Sequence, residues 1–176
     1  MPFKNMPKII ILRGNSASGK STIAKALQKS IGPGTMLISQ DAIRRDMLYV
    51  KDRPHNQSIP LLHNLVTFAA QHSPITILEG IFYREIYEDL FASIADLYGD
   101  NIHAYYFDLS FEETLQRHAQ KPIATEIAPA TLRDWWREKD YLHHITEKML
   151  DSKMSKDDIV KLILNDIKMD IRPAKG

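Results

Sequence analysis

An eight-residue loop near the start of the chain sharply limits the folds it can adopt. Residues 14–21 read Gly-Asn-Ser-Ala-Ser-Gly-Lys-Ser, which is the pattern G-x-x-x-x-G-K-S. This is the P-loop pattern, a phosphate-binding turn that links a buried strand to the N-terminus of a helix. Both neighbours are present, because residues 9–12 are all apolar and residues 21–30 carry apolar side chains at helical spacing. The loop therefore predicts an α/β fold whose first strand ends at a nucleotide site.

Phosphate binding at such a loop requires several backbone N–H groups that point at one anion. Gly14 and Gly19 allow the turns and leave no side chain in the way. The helix that begins near Lys20 directs its unpaired N–H groups and the positive end of its dipole at the phosphates. We expect Lys20 to reach the β and γ phosphates and the Ser21 hydroxyl to bind Mg²⁺. The expected nucleotide-binding residues are Gly14, Asn15, Ser16, Ala17, Ser18, Gly19, Lys20, Ser21 and Thr22.

The rest of the chain alternates short apolar runs with helical patterns. Four runs predict strands, at residues 9–12, 35–38, 75–78 and 102–107. Helical patterns follow them, including residues 84–98 with an apolar face and a capping box from Ser110 to Glu113. This alternation is typical of a parallel sheet, here of four to five strands, with helices on both faces.

Composition narrows the class of protein further. The chain has 176 residues and no cysteine, which excludes a disulfide scaffold, a thiolate zinc site and a cysteine nucleophile. Its net charge of +1 argues against a general nucleic-acid binder, although residues 1–60 hold ten Lys and Arg against three Asp and Glu. The apolar run near the start has four residues, too few for a signal peptide or a membrane span. We expect one cytoplasmic domain over residues 1–176, without membrane association.

The segment after the second predicted strand points to the reaction. A P-loop alone does not name one, because kinases, GTPases, motor ATPases and assembly factors share it. No Asn-Lys-x-Asp occurs, so the guanine-reading element of regulatory GTPases is missing. Asp41 follows the second strand, at the sheet edge where parallel sheets bind ligands, and can take the proton of a substrate hydroxyl. Arg44, one helical turn later, can hold a substrate anion. The alternative for Asp41 is a structural role, in which its charge stabilises a helix N-terminus. The alternative for Arg44 is a solvated side chain on the helix surface.

The P-loop, the following strand, Asp41 and Arg44 together resemble the small P-loop phosphotransferases, which include phage polynucleotide kinase, chloramphenicol phosphotransferase and the zeta toxins. The resemblance implies that Asp41 is a general base and Arg44 a substrate-phosphate ligand. The resemblance continues over residues 107–118, where these kinases have a strand, a turn and a helix that lead into an arginine-bearing lid. Arg117 matches the first lid arginine, which contacts ATP phosphates. The family's second lid arginine is replaced by Lys121 in this chain, which keeps the positive charge but lacks the planar guanidinium group. The lid and its following helix would span residues 117–140.

Three further residues are candidates with open alternatives. Glu79, at the end of the third strand, can position the acceptor or a magnesium-bound water, or be structural. Arg133 and Arg137 are four residues apart and would share a helical face. Salt bridges are the expectation for this pair, and a second anion clamp is the alternative.

These features predict an ATP- and Mg²⁺-dependent kinase that phosphorylates a hydroxyl. The acceptor is a small molecule or a nucleic-acid end, and the near-neutral charge does not favour nucleic acid. Catalysis would rest on Asp41, Lys20 and Arg117, and substrate binding on Arg44, Glu79 and Lys121. The alternative is a P-loop ATPase that acts as a switch or assembly factor and has no hydroxyl acceptor.

Overall fold

A computed structural model of the chain describes residues 6–120 and 128–167. It contains one five-stranded sheet in the order β2-β3-β1-β4-β5, and each neighbouring pair of strands is parallel. The strands are β1 (Lys8–Gly14), β2 (Met36–Ser39), β3 (Ile75–Gly80), β4 (Ile102–Phe107) and β5 (Glu147–Leu150). The α/β class and the first four strands confirm the predictions from sequence. The short β5 was not recognised among them.

Helices cover both faces of this sheet. They are α1 (Lys20–Ile31), α2 (Ser58–His72), α3 (Arg84–Tyr98), α4 (Phe111–Ala119), α5 (Pro129–Trp135) and α6 (Lys156–Asp166). Ile9 and Ile11 of β1 belong to one buried cluster with side chains of α2 and α3, whereas Ile10 and Leu12 belong to a second cluster with α1 and α6. Because alternate strand residues point to opposite faces, a central strand that is buried on both sides must be apolar throughout.

Capping residues begin two of these helices. The Ser110 hydroxyl accepts a hydrogen bond from the Glu113 N–H at 3.2 Å, and the Glu113 carboxylate accepts one from the Ser110 N–H at 3.0 Å. This is the capping box that the sequence predicts at the start of α4. Ser155 and Asp158 form the same arrangement at the start of α6.

The helical turn that the sequence predicts after β2 is present, and it is wider than a turn of α-helix. It is a π-helical segment, Ala42–Met47, in which the Leu48 N–H donates to the Ile43 carbonyl five residues earlier, at 3.1 Å. Such turns are rare and occur often at functional sites. Asp41 lies at the N-terminus of this turn.

Arg13 is a fully buried cation near the end of β1. Its Nη1 donates to both carboxylate oxygens of Glu147, at 2.8 and 3.0 Å. Its Nη2 donates to the carbonyl oxygens of Phe82 and Asp140, at 2.8 and 2.9 Å. A buried charge requires partners of this kind, because transfer out of water is costly without them. The network joins the end of β1 to β5 and to the segments around residues 82 and 140.

Removing the carboxylate from this network is expected to be costly. In a Glu147→Gln variant, Arg13 would keep its charge in the interior without its main counter-ion, so the free energy of unfolding should fall by about 3–5 kcal/mol. The matched control is Lys148→Gln, which breaks a half-exposed pair with Asp166 at 3.0 Å and should cost at most about 1 kcal/mol. Urea unfolding measures both variants. Equal, small losses would contradict the structural importance of the buried pair.

Candidate active site

Glycines make the predicted P-loop turn possible at both of its ends. Gly14 has φ +145° and Gly19 has φ +95°, backbone conformations that other residues rarely adopt. A Cβ atom at Gly14 would also lie 2.9 Å from the Cβ of Phe107 on β4. The loop can therefore leave β1 close beside β4 only with glycine at residue 14.

Lys20 begins α1 and its side chain turns back into the loop. Its Nζ donates to the carbonyl oxygen of Asn15 at 2.7 Å and to the hydroxyl of Ser18 at 2.9 Å. The first turn of α1 contains no acidic residue of its own that would offset the positive end of the helix dipole. The Lys20 ammonium thus lies within the loop at the N-terminal end of α1, which is the arrangement that binds phosphate.

Glu79 connects the P-loop to β2. One of its carboxylate oxygens accepts hydrogen bonds from the Ser21 hydroxyl at 3.2 Å and from the Ser39 hydroxyl at 2.6 Å. The Glu79 side chain is buried, and its position at the end of β3 follows from the central place of that strand between β1 and β2. The residue predicted to bind metal, Ser21, therefore lies beside a buried carboxylate.

Asp41 and Arg44 form an ion pair at the end of β2. Arg44 Nη2 lies 3.0 Å from a carboxylate oxygen of Asp41, and Arg45 Nε lies 3.5 Å from the same oxygen. The side chain of Asp41 is 43% exposed, whereas that of Arg44 is only 12% exposed. Arg44 also donates to the Val50 carbonyl at 3.0 Å, so its guanidinium joins Asp41 to the loop that follows the π-helical segment.

Arg117 reaches from α4 over the P-loop. Its Nη1 donates to the Ser18 carbonyl at 3.1 Å. The guanidinium lies close to Gly19 as well, where a Cβ atom would be 3.8 Å from Nη1. The lid arginine that the resemblance identifies is therefore next to the phosphate loop. Lys121, the predicted second lid cation, lies outside the described residues.

One cavity of about 200 Å³ brings most of the predicted residues together. Its lining consists of the loop and residues from β2, β3 and α4, namely Ser16, Ala17, Ser18, Gly19, Lys20, Ser21, Thr22, Asp41, Glu79, Gly80, Ile81 and Arg117. Arg44 pairs with Asp41 and is not part of this lining. Asn15 is turned away from it, and its side chain contacts the backbone of Arg137.

A second cavity of about 200 Å³ adjoins the loop on the side of α6. Sequence reasoning missed most of its residues, which include Phe107, Leu109, Asp151, Met154, Lys156 and Ile159. The signal that could have found them is the rule that ligands bind at the carboxyl ends of parallel strands. Because β5 was not predicted, the loop that follows it at residues 151–155 was not considered.

The segment after the lid differs from its prediction. Helix α5 ends at Trp135, so Arg133 and Arg137 do not share a helical face. Neither forms a salt bridge with any part of the chain that the structure describes, because both are placed over aromatic rings. The guanidinium of Arg133 lies 4.1 Å from the centre of the Phe111 ring, and that of Arg137 lies 5.1 Å from the centre of the Tyr83 ring. The expected salt bridges are therefore not formed within the described part of the chain.

Residues 6–120 and 128–167 include neither a cluster of metal-binding side chains nor a membrane-spanning helix. No group of three or more His, Asp or Glu side chains is placed there to hold a metal ion. No helix in those ranges is both long enough and apolar enough to cross a bilayer.

The sheet order and the P-loop cavity define a P-loop kinase-like α/β protein. The chain belongs to the AAA_33 family, described as an AAA domain, which matches residues 9–144. No curated protein sequence matches the chain.

Solved structures of similar fold cover nearly the whole chain. A tunicamycin resistance protein from Deinococcus radiodurans is 15% identical, with a TM-score of 0.67 and coverage of 95% of this chain and 99% of that one. A gluconokinase from Sinorhizobium meliloti is 16% identical, with a TM-score of 0.65 and coverage of 93% of each chain. The Mycobacterium tuberculosis APS kinase CysC, in complex with AMPPNP and APS, is 15% identical, with a TM-score of 0.64 and coverage of 93% and 99%. At these identities the likeness shows the fold alone.

Proposed function

We propose that this protein is an ATP- and Mg²⁺-dependent kinase that phosphorylates a hydroxyl group. The observation that carries the proposal is the single cavity in which the P-loop, Asp41, Glu79 and Arg117 meet. Phosphoryl transfer requires groups that hold the phosphates, a base for the acceptor and cations that neutralise the developing charge. Each requirement has a candidate side chain in that cavity.

The P-loop residues fit the triphosphate and its metal ion. Lys20 would bind the β and γ phosphates together with the loop N–H groups, and Ser21 would supply an oxygen ligand to Mg²⁺. Among the described residues, no group of three or more metal-binding side chains is placed to hold an ion. A small number of protein ligands is compatible with Mg²⁺, because this ion is usually held by one or two side chains together with phosphates and water. When bound, Mg–ATP supplies the phosphoryl group and neutralises part of its charge.

The second cavity is the proposed site of the adenine ring. It shares Ser18, Gly19 and Arg117 with the first cavity, so a nucleotide can extend from one to the other. Phe107 and Met154 give it an apolar lining, which suits a planar base.

Asp41 is the proposed general base. Its carboxylate would accept the proton of the acceptor hydroxyl as the hydroxyl oxygen forms its bond to the γ phosphorus. The bond between that phosphorus and the leaving oxygen of ADP breaks in the same displacement, while Arg117 stabilises the charge on the transferring group. Arg44 would keep the Asp41 carboxylate correctly oriented, since it already pairs with that carboxylate. Lys121 as a second lid cation stays a prediction.

Glu79 has two possible roles in this scheme. Its contact with the Ser21 hydroxyl places a carboxylate where it can accept a hydrogen bond from a magnesium-bound water. Its contact with Ser39 favours instead a role in orienting the end of β2, which carries Asp41 two residues later.

The proposal is tested with ATP labelled on the γ phosphate. Wild-type protein and a Lys20→Met variant are each incubated with Mg²⁺, a 5′-hydroxyl oligonucleotide and, separately, a pool of hydroxyl metabolites. We expect label to move from ATP to an acceptor in the wild type only. Label released solely as free phosphate would favour the alternative, a P-loop ATPase that acts as a switch or assembly factor.

Salt dependence separates the two acceptor classes. Transfer to a polynucleotide should weaken steeply between 50 and 200 mM salt, because phosphate contacts release counterions, by roughly 10³-fold or more where six or more phosphates are contacted. A nearly flat response indicates a small-molecule acceptor.

A further inference from the structure

The side chain of Asn15, in the P-loop, holds the backbone of Arg137. Asn15 Nδ2 donates to the Arg137 carbonyl at 2.6 Å, and the Arg137 N–H donates to Asn15 Oδ1 at 2.8 Å. Both hydrogen-bonding groups of one buried amide are thus used on a single residue. The P-loop therefore fixes the place of residue 137, although 122 residues separate the two in sequence.

The segment 136–140, which we call the strap, is fixed at its other end as well. The Asp140 carboxylate accepts hydrogen bonds from Arg13 Nη2 at 3.3 Å and from the Arg84 N–H at 2.9 Å. Arg13 Nη2 also donates to the Asp140 carbonyl. Because β1, the P-loop and the start of α3 all hold it, the strap lies across the carboxyl end of the sheet.

The guanidinium of Arg137 projects from the strap without a carboxylate partner among the described residues. Its Nη1 donates to the carbonyls of Asp134 and Trp136, at 2.7 and 3.2 Å. Nε and Nη2, which form the opposite edge of the planar group, have no acceptor within that part of the chain. Two other arginines near the sheet edge, by contrast, pair with carboxylates, Arg13 with Glu147 and Arg44 with Asp41.

Tyr83 contacts Arg137 and lies within electrostatic range of Arg44, the partner of Asp41. The guanidinium carbon of Arg137 is 5.1 Å from the centre of the Tyr83 ring, and the Tyr83 hydroxyl donates to the Trp135 carbonyl at 2.6 Å. Burial raises the pKa of Tyr83 to about 12, and the charges of Arg137 and Arg44 both act against that rise. The phenol is therefore within electrostatic range of both arginines, one on the strap and one beside Asp41.

We propose that the acceptor carries an anionic group in addition to its hydroxyl, and that the Nε–Nη2 edge of Arg137 binds this group. The inference rests on the proposed kinase function and names the class of its substrate. An unpaired guanidinium edge matches the two oxygens of a phosphate, sulfate or carboxylate, and bidentate pairs of this kind are among the stronger hydrogen bonds in proteins. A fixed strap keeps this edge in place before the acceptor arrives.

Matched pairs of acceptors test the substrate class. Each pair differs only in the anion: gluconate with glucitol, glucose 6-phosphate with glucose, and a nucleoside 3′-phosphate with its nucleoside. For the pair that is phosphorylated, we expect kcat/KM to be about 10- to 100-fold higher for the anionic member. In Arg137→Gln this preference should fall to about twofold or less, while Arg133→Gln keeps it.

The outcomes separate this inference from the proposed function. The inference is wrong if kcat/KM for the neutral acceptor equals or exceeds that for the anionic one, or if Arg137→Gln leaves the preference unchanged. Either result leaves the proposed kinase function intact. If no tested compound is phosphorylated, the binding measurement described next decides.

Tryptophan fluorescence reports directly on this part of the chain. The sequence has two tryptophans, Trp135 and Trp136, and both directly precede Arg137. Inorganic sulfate is titrated into protein without nucleotide and into protein saturated with Mg²⁺ and AMPPNP, in each case against chloride at equal ionic strength. We expect a saturable change in wild type and in Arg133→Gln, with affinity weakened about tenfold or more in Arg137→Gln. The same response in all three proteins, or a response that AMPPNP abolishes because the edge binds the γ phosphate instead, overturns the inference.

Discussion

An Arg117→Ala variant is expected to lose about 10³- to 10⁵-fold in kcat for phosphoryl transfer. The Arg117 guanidinium donates to the Ser18 carbonyl and lines the P-loop cavity, so it is next to the γ phosphate in the proposed complex. A cation there stabilises charge that spreads over the transferring group, and the effect is greatest where water is excluded. Single-turnover rates measure the loss in the chemical step, and calorimetric titration with AMPPNP measures nucleotide affinity separately.

The control for this variant is Arg133→Ala. Arg133 lies over the Phe111 ring, outside the lining of the P-loop cavity, and its removal should change kcat by no more than about threefold. An Arg117→Ala protein that loses less than tenfold in kcat, or loses only nucleotide affinity, would contradict a role for Arg117 in the transition state.

Replacing Asp41 with asparagine should lower kcat by about 10²- to 10⁴-fold and leave AMPPNP affinity nearly unchanged. Asparagine keeps the shape of the side chain and a carbonyl oxygen for Arg44, but it cannot accept the proton of the acceptor hydroxyl. The expected loss is therefore in the chemical step, because Asp41 is at the edge of the cavity and the phosphates bind to the P-loop.

Asp46→Asn is the matched control for the Asp41 variant. Asp46 is a second aspartate of the same turn, five residues further along, and it does not line the P-loop cavity. Its turnover should stay within about twofold of wild type. Equal turnover in Asp41→Asn and wild type would remove Asp41 from the role of base.

Local sequence patterns were sufficient to predict the first four strands and most helices. A central strand buried on both faces has to be continuously apolar, which makes β1 visible as four consecutive aliphatic residues. The P-loop was equally visible, because positive φ at Gly14 and Gly19 and the close approach to Phe107 admit few alternatives to glycine. Asp41 and Arg117 could be identified by resemblance, and both line the same cavity as the loop.

Features that depend on contacts between distant residues were not predictable in this way. The four-residue strand β5 has only its two end residues buried, and it begins with Glu147, which is buried only because Arg13 pairs with it. A buried carboxylate opposite a buried guanidinium leaves no local pattern. The π-helical segment after Asp41 was predicted as an ordinary helix, since its side chains retain helical spacing while its hydrogen bonds widen.

The region around the strap shows the same limit. Spacing placed Arg133 and Arg137 on one helical face, but α5 ends at Trp135 and the two guanidiniums lie over different aromatic rings. The hydrogen bonds of Asn15 to residue 137 join segments 122 residues apart, and no period or motif in the sequence reports such a pairing.

The fate of the γ phosphate in wild type beside Asp41→Asn tests the central claim most directly. Both proteins are given labelled ATP, Mg²⁺ and the acceptor found in the panel, and label is counted in phosphorylated acceptor and in free phosphate. We predict that wild type moves label mainly to the acceptor and that Asp41→Asn does so at least a hundredfold more slowly, with similar AMPPNP affinity. Label that appears only as free phosphate, at equal rates in both proteins, would contradict the assignment of this chain as a hydroxyl kinase.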